Sequence, residues 1–316
     1  LLLSAAVLTL AFSAGACASV RADAANGDDT SFGTYLSAHV AAGQHDLVEA
    51  AKLYQSSFAD NPGDSDIANR AFLYTAASGD VDRAIDLAKK VVKGNPTDRA
   101  ARLALAIGAM KDGNYSRARD QLSQSGKGQF TTLTLFLVDG WAAEGAGDTD
   151  AALKSMDALA GVGGTVQLIN YHKALILDLA GRDADADAAY KLVLLQSGNG
   201  PRATEAYGRF LERQGRTDEA KALYGKIRAE DSLQPIADAG LARLAAGTKP
   251  DRMVNNAQEG AAEGLFSIAV SLNDATNADI AILYLRFALY LQPDFDLAKI
   301  VLADRFESLK KYAEAI

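Results

Sequence analysis

Residues 79–96 read GDVDRAIDLAKKVVKGNP. Val81, Ala84, Ile85, Ala88, Val91 and Val92 recur at steps of three and four, which places them on one face of a helix, while Asp82, Arg83, Asp86, Lys89 and Lys90 populate the other. Gly79 stands where a preceding helix ends, because a left-handed cap costs least at a residue with no side chain. Pro96 closes the segment, since proline cannot continue a helix and biases Asn95 away from helical backbone. The stretch is the turn and second helix of a helical hairpin.

Outward from it, the same punctuation returns. Gly79, Gly113, Gly147, Gly181 and Gly215 are 34 residues apart, and Ala84, Ala118, Ala152, Ala186 and Ala220 keep that interval five places on. Pro62 and Pro96 share it, and Gln292-Pro293 repeats the punctuation. A fixed period of this length in helical sequence means a supersecondary unit stacked on copies of itself. The alanine, near the start of each second helix, lets two backbones approach closely, and a larger side chain there would force them apart.

The chain from Ser31 onward resembles the tetratricopeptide repeat family. Gly113-Asn114-Tyr115 with Ala118, Gly215 with Ala220 and Tyr224, and Lys311-Tyr312 with Ala315 carry the likeness. The small-residue slot of the first helix holds Ala106, Gly140, Ala174, Gly208 and Ala303 but Phe72 in one unit, and the tryptophan slot is best met by Phe32 and Phe136. The resemblance implies an all-α fold, a right-handed superhelical solenoid of antiparallel helix pairs with about eight to nine repeats, the last incomplete. The units read as 31–64, 65–98, 99–132, 133–166, 167–200 and 201–234, the first with its turn glycine, Gly43, two residues early. Residues 235–261 are expected to be a degenerate repeat or a hinge, and 262–316 to add further repeats. The final segment lacks a closing Gly or Pro, so the natural chain is expected to continue beyond Ile316.

Residues 1–16 form an apolar stretch ending in small residues and followed directly by Cys17, the one cysteine of the chain. It is too short for a mature membrane span and reads as an export signal. Ala14-Gly15-Ala16-Cys17 resembles a bacterial lipobox, with alanine where leucine is commoner, and implies cleavage before Cys17 and acylation of its thiol. Ordinary cleavage after Ala18 or Ala24 is the alternative. Residues 17–30, rich in Ala, Asp, Asn and Gly, are expected to be a disordered tether. The lack of an aspartate after Cys17 resembles lipoproteins sent to the outer membrane, so the expected location is the periplasm of a Gram-negative cell, anchored to that membrane.

Chemistry is sparse. His39, His45 and His172 have neither helical ligand spacing nor cysteine partners, so no metal or cofactor is expected. Ser125-Gly126-Lys127-Gly128 and Ser197-Gly198-Asn199-Gly200 lack phosphate-loop spacing and read as turns. A net charge of −8 argues against a nucleic-acid partner, whose phosphates need a basic face.

By the family pattern, the first helices line a concave groove facing a partner. Asn69, Leu73, Leu103, Ile107, Met110, Leu137, Trp141, Tyr171, Leu175, Arg209 and Glu212 are the residues so placed, with an apolar, aromatic middle and a cationic end at Arg202, Arg209 and Arg213. Trp141 is expected to anchor a bound protein or peptide segment, with simple packing between repeats as the alternative. The reading is a non-catalytic, membrane-tethered scaffold. The runner-up is the helical positioning domain of a larger wall-cleaving enzyme with its catalytic part beyond Ile316, and a third possibility is a soluble periplasmic peptide-binding module.

Overall fold

The computed structural model describes residues 27–126, 128–159, 165–197, 200–230, 233–272 and 277–315. Among them there are sixteen helices and no strand. Six hairpins come first: α1 (Gly27–Gly43) with α2 (Leu47–Asp60), α3 (Ser65–Ser78) with α4 (Val81–Gly94), α5 (Arg99–Lys111) with α6 (Tyr115–Ser123), α7 (Gln129–Gly145) with α8 (Thr149–Asp157), α9 (Val166–Leu179) with α10 (Asp183–Ser197), and α11 (Pro201–Arg213) with α12 (Thr217–Ile227). Four more helices follow: α13 (Gln234–Ala246), α14 (Ala257–Ser271), α15 (Ala278–Leu291) and α16 (Asp296–Ser308).

Local chemistry explains the hairpins. Gly79, Gly113, Gly147, Gly181 and Gly215 all hold positive φ, from 71° to 109°, the left-handed turn that their period predicts. In the first hairpin the corresponding place, 34 residues before Gly79, belongs to His45 at φ 53°, so the turn keeps register and Gly43 does not make it. Helix starts are fixed by short acceptors. Asp46, Asp80, Asp98, Asn114 and Asp148 each accept a hydrogen bond from the backbone N–H three residues on, worth about 1 kcal/mol apiece.

Packing follows the period. Ala84, Ala118, Ala152, Ala186 and Ala220 are all fully buried. On α4, Val81, Ala84, Leu87, Ala88 and Val91 are buried and Ile85 and Val92 half-buried, which matches the predicted face with Leu87 added. A Cβ on Gly140 would stand 2.4 Å from Met156 Cε and 3.2 Å from the Ala152 carbonyl oxygen, so the small slot of α7 is held small by α8. Each second helix then packs on the next first helix, from α2 on α3 through α12 on α13.

After α13 the stack ends and the chain turns back. Residues 247–256 form no helix and run along the ends of α9 and α11: Lys249 donates to the Arg213 carbonyl at 3.2 Å, and Arg252 donates to the Asp178 carbonyl at 3.1 Å. The hairpin α14–α15 then lies across the first helices, with α14 on α7 and α9 and α15 on α3, α4 and α5. One expectation changes accordingly. Residues 235–261 hold one helix, α13, stacked on α12, with a polar connection in place of its partner helix that leads into α14. Residues 262–316 do not prolong the stack, because the small face of α14 (Ala257, Gly260, Ala261, Gly264) fits a helix closely, and the wall of first helices supplies one. At the other end α1 begins at Gly27, inside the stretch expected to be tether. The export signal and Cys17 lie outside the described residues.

Candidate functional site

The wall of first helices is the surface on which the sequence places a partner. In the structure most of the predicted residues are covered. Leu103, Ile107, Met110, Leu137, Trp141, Tyr171, Leu175 and Glu212 are buried, and Asn69, Leu73 and Arg209 are half-buried. What covers the middle of the wall is α14. A Cβ on Gly260 would sit 2.2 Å from the Trp141 ring, and one on Gly264 2.8 Å from Leu137 Cδ2. Two glycines at i and i+4 thus let the helix rest directly on the indole and the leucine. Trp141, fully buried, serves this contact.

Polar groups lock the hairpin down. Glu263 on α14, only 1% exposed, accepts from Tyr171 Oη at 3.0 Å and from Arg202 Nε at 2.9 Å, and pairs with a second guanidinium nitrogen of Arg202. Removing one member of such a buried pair strands the other and costs about 3–5 kcal/mol. Burial, with the Glu263 charge beside it, pushes the Tyr171 hydroxyl well above its ordinary value. Gln258 donates to the Met110 and Lys111 carbonyls at the end of α5, at 2.7 and 3.1 Å. On α15, Tyr284 meets Thr134, Tyr290 donates to Asp82 at 2.5 Å, and Arg286 donates to the Ala77 carbonyl at 3.4 Å. Arg286 is held below its ordinary value by burial and lies at the negative end of the α3 dipole.

His172 belongs to the same packed layer. Its Nδ1 accepts from Trp141 Nε1 at 3.0 Å, so the ring is neutral with its proton on Nε2. Burial depresses its pKa to about 4. The cationic end of the wall is likewise spent internally. Arg213 pairs with Asp178, which also accepts from Tyr190. Glu212 accepts from Tyr224 and Arg243, and Arg209 pairs with Glu205. No local pattern of residues signals the pairs of Arg243 with Glu212 and Arg213 with Asp178, because their members lie 31 or more residues apart. Among the described residues no group of three His, Cys, Asp or Glu side chains is placed to share a metal ion. No described helix is long and apolar enough to cross a membrane.

A recess remains open between α6 and α7. It encloses about 620 Å³ and is floored by Leu122, Leu135 and Phe136. Phe136 is one of the two residues that best meet the tryptophan slot. At the rim Arg119 donates to Asp139 at 3.0 Å, and Asp139 also accepts from Ser155 at 2.6 Å. The recess combines an apolar floor with a fixed charge pair, a form suited to one bulky side chain of a partner.

Comparison with known proteins fits this geometry. Residues 75–128 match the family model described as tetratricopeptide repeat. No curated protein matches. A tetratricopeptide repeat protein from Parabacteroides merdae superposes with a TM-score of 0.53 at 11% identity, over 88% of this chain and 99% of that one. A mutant of MamA gives 0.44 at 18% identity, over 53% of this chain and 98% of that one. The structure of Naa15/Naa10 bound to HypK-THB also gives 0.44, at 15% identity, over 90% and 52%. Residues 75–128 are thus similar to tetratricopeptide repeats, and the described helices from α1 to α13 form an all-α stack of like hairpins.

Proposed function

We propose that this protein is a non-catalytic protein–protein interaction scaffold, exported and tethered through an acylated Cys17 to the outer membrane of a bacterial envelope. The observation that carries the scaffold reading is where the buried polar groups are used. Glu263, Asp178, Glu212 and His172 each hold one helix against another, so the fold spends its polar chemistry on fixing a surface. The tether reading is supported by the apolar leader and the single cysteine that directly follows it.

With α14–α15 in the groove, the partner segment docks on the outer side, its bulky side chain entering the recess floored by Leu122, Leu135 and Phe136. A photo-crosslinking side chain placed at Ser123 or Thr132 in the native envelope is expected to capture a discrete protein partner, and one placed at Leu137 is expected to capture none. Capture from Leu137 with the recess silent would instead show that a partner displaces the hairpin. Mass spectrometry of the mature N-terminus tests the tether, and an intact, unacylated N-terminus at Ser19 or Ala25 would refute it.

A further inference from the structure

The first helix is apolar on two sides. Tyr35, Ala38, Ala41 and Ala42 pack toward α2, and the Tyr35 and Tyr54 rings meet edge to face at 5.9 Å. On another face Phe32, Leu36 and Val40 are 68%, 51% and 52% exposed. They recur every four residues and so form one stripe. Within the array this face meets the preceding second helix. One period on, the same places hold Asp66, Arg70 and Tyr74, with Tyr74 stacked on Tyr54 at 5.2 Å; two periods on they hold Ala100, Ala104 and Gly108, and a Cβ on Gly108 would stand 2.9 Å from Ile85. In α5 the face is built small so that α4 can press close. In α1, which packs chiefly on α2, the same face carries large apolar groups and lies open.

The stripe is also free of charge. From Thr30 to Gly43 there is no Asp, Glu, Lys or Arg, in a chain of which 23% is charged. The residues beside it are Gly33, Ser37 and His39, all exposed. Helix partners of this face are met by small residues in α5 and by charged and aromatic ones in α3, and a soluble partner of an acidic protein would find charges to meet. Large apolar groups set among small, uncharged ones suit the boundary between headgroups and acyl chains of a bilayer, where binding is driven by apolar burial and not by charge. The position along the chain agrees. Phe32 follows Cys17 by fifteen residues, so an acyl anchor there would keep α1 within about 50 Å of the membrane even with the connecting chain fully extended.

We propose that the Phe32–Leu36–Val40 face of α1 is a lipid-contacting surface that lays the first repeat on a neutral bilayer. It extends the tether reading, since the Cys17 anchor is what brings α1 to the membrane, but the face can be tested without it. Residues 27–316 carry the continuous core and lack both leader and Cys17. They are to be floated with small phosphatidylcholine vesicles at low and high salt, beside the variant Phe32→Ser/Leu36→Ser/Val40→Ser. The expected result is flotation that does not fall with salt, reduced about tenfold or more in the variant, with unchanged thermal unfolding because all three residues are exposed. Absence of flotation, or equal flotation by the variant, overturns the proposal. So does sedimentation showing a dimer that the variant dissolves while vesicles stay unbound, which would make a second copy the occupant. Because this chain has no Cys17, an unacylated N-terminus in the cell would refute the tether and leave the flotation result standing.

Discussion

The stacked hairpins and the returning hairpin α14–α15 are built from similar helices but held in different ways. In the stack each element touches its neighbours in sequence, through positions that recur every 34 residues, such as Ala84 and Ala118. In the returning hairpin each contact is singular and distant: Gln258 reaches Met110, Tyr284 reaches Thr134 and Tyr290 reaches Asp82. The difference teaches where stability is local. A stack divides its stability among many equivalent interfaces, whereas the hairpin hangs on a few particular side chains and joins ends of the chain that the stack keeps apart.

The comparison breaks most sharply at Gly260. Gly260→Leu would drive a side chain into the Trp141 ring, 2.2 Å from the place of a Cβ, and is expected to cost more than ~3 kcal/mol. Hydrogen exchange should show residues 257–291 opening while amides of α3 to α5 keep more of their protection. Equal loss throughout would mean that the stack does not stand without the hairpin.

A second test uses protons. His172 is depressed to about 4 by burial, against ~6.5 in an unfolded chain. Between these values the unfolded chain takes up a proton that the folded one refuses. This group's contribution is therefore complete above pH ~6.5 and is lost as pH falls toward ~4, at up to about 1.4 kcal/mol per pH unit. Denaturant midpoints across that window should fall with pH in the wild type and more gently in His172→Gln. A parallel slope in both would remove His172 from the account.

Two smaller effects sharpen the picture on the side of the stack. Gly113 holds φ 72° with open space about it, so Gly113→Ala is expected to cost about 1 kcal/mol through backbone strain alone, read as a lowered unfolding midpoint. At His45 the strain of a left-handed non-glycine residue is set against its 2.9 Å bond to Asp279, which is half exposed. His45→Gly relieves the strain but gives up that bond and adds freedom to the unfolded chain, so stability should move by less than ~0.5 kcal/mol. A larger loss would show that this link between the first turn and α15 matters more than its exposure suggests.

Legibility depended on repetition. The turn glycines, the small alanines and the α4 face can be read because each recurs, and a period survives the drift of any one unit. The turn at His45 is hidden because the visible glycine, Gly43, is not the residue that takes the left-handed backbone. The capping residues are written in the same period, since Asp80, Asn114 and Asp148 each follow a turn glycine directly. For the candidate site, the family pattern names residues on the first helices, but their exposure is not legible. Nothing near Trp141 in sequence announces Gly260, and the small face of α14 does not name the helix it will meet.

By itself the sequence determined the hairpin, its period and the buried side of the second helix α4, because these depend on contacts within one or two repeats. Only the tertiary structure decided that the wall of first helices is occupied from within, that Trp141 and His172 belong to the core, and that α1 keeps an open apolar face. Those outcomes depend on how closely two distant surfaces fit, a property of shape that no local pattern of residues records.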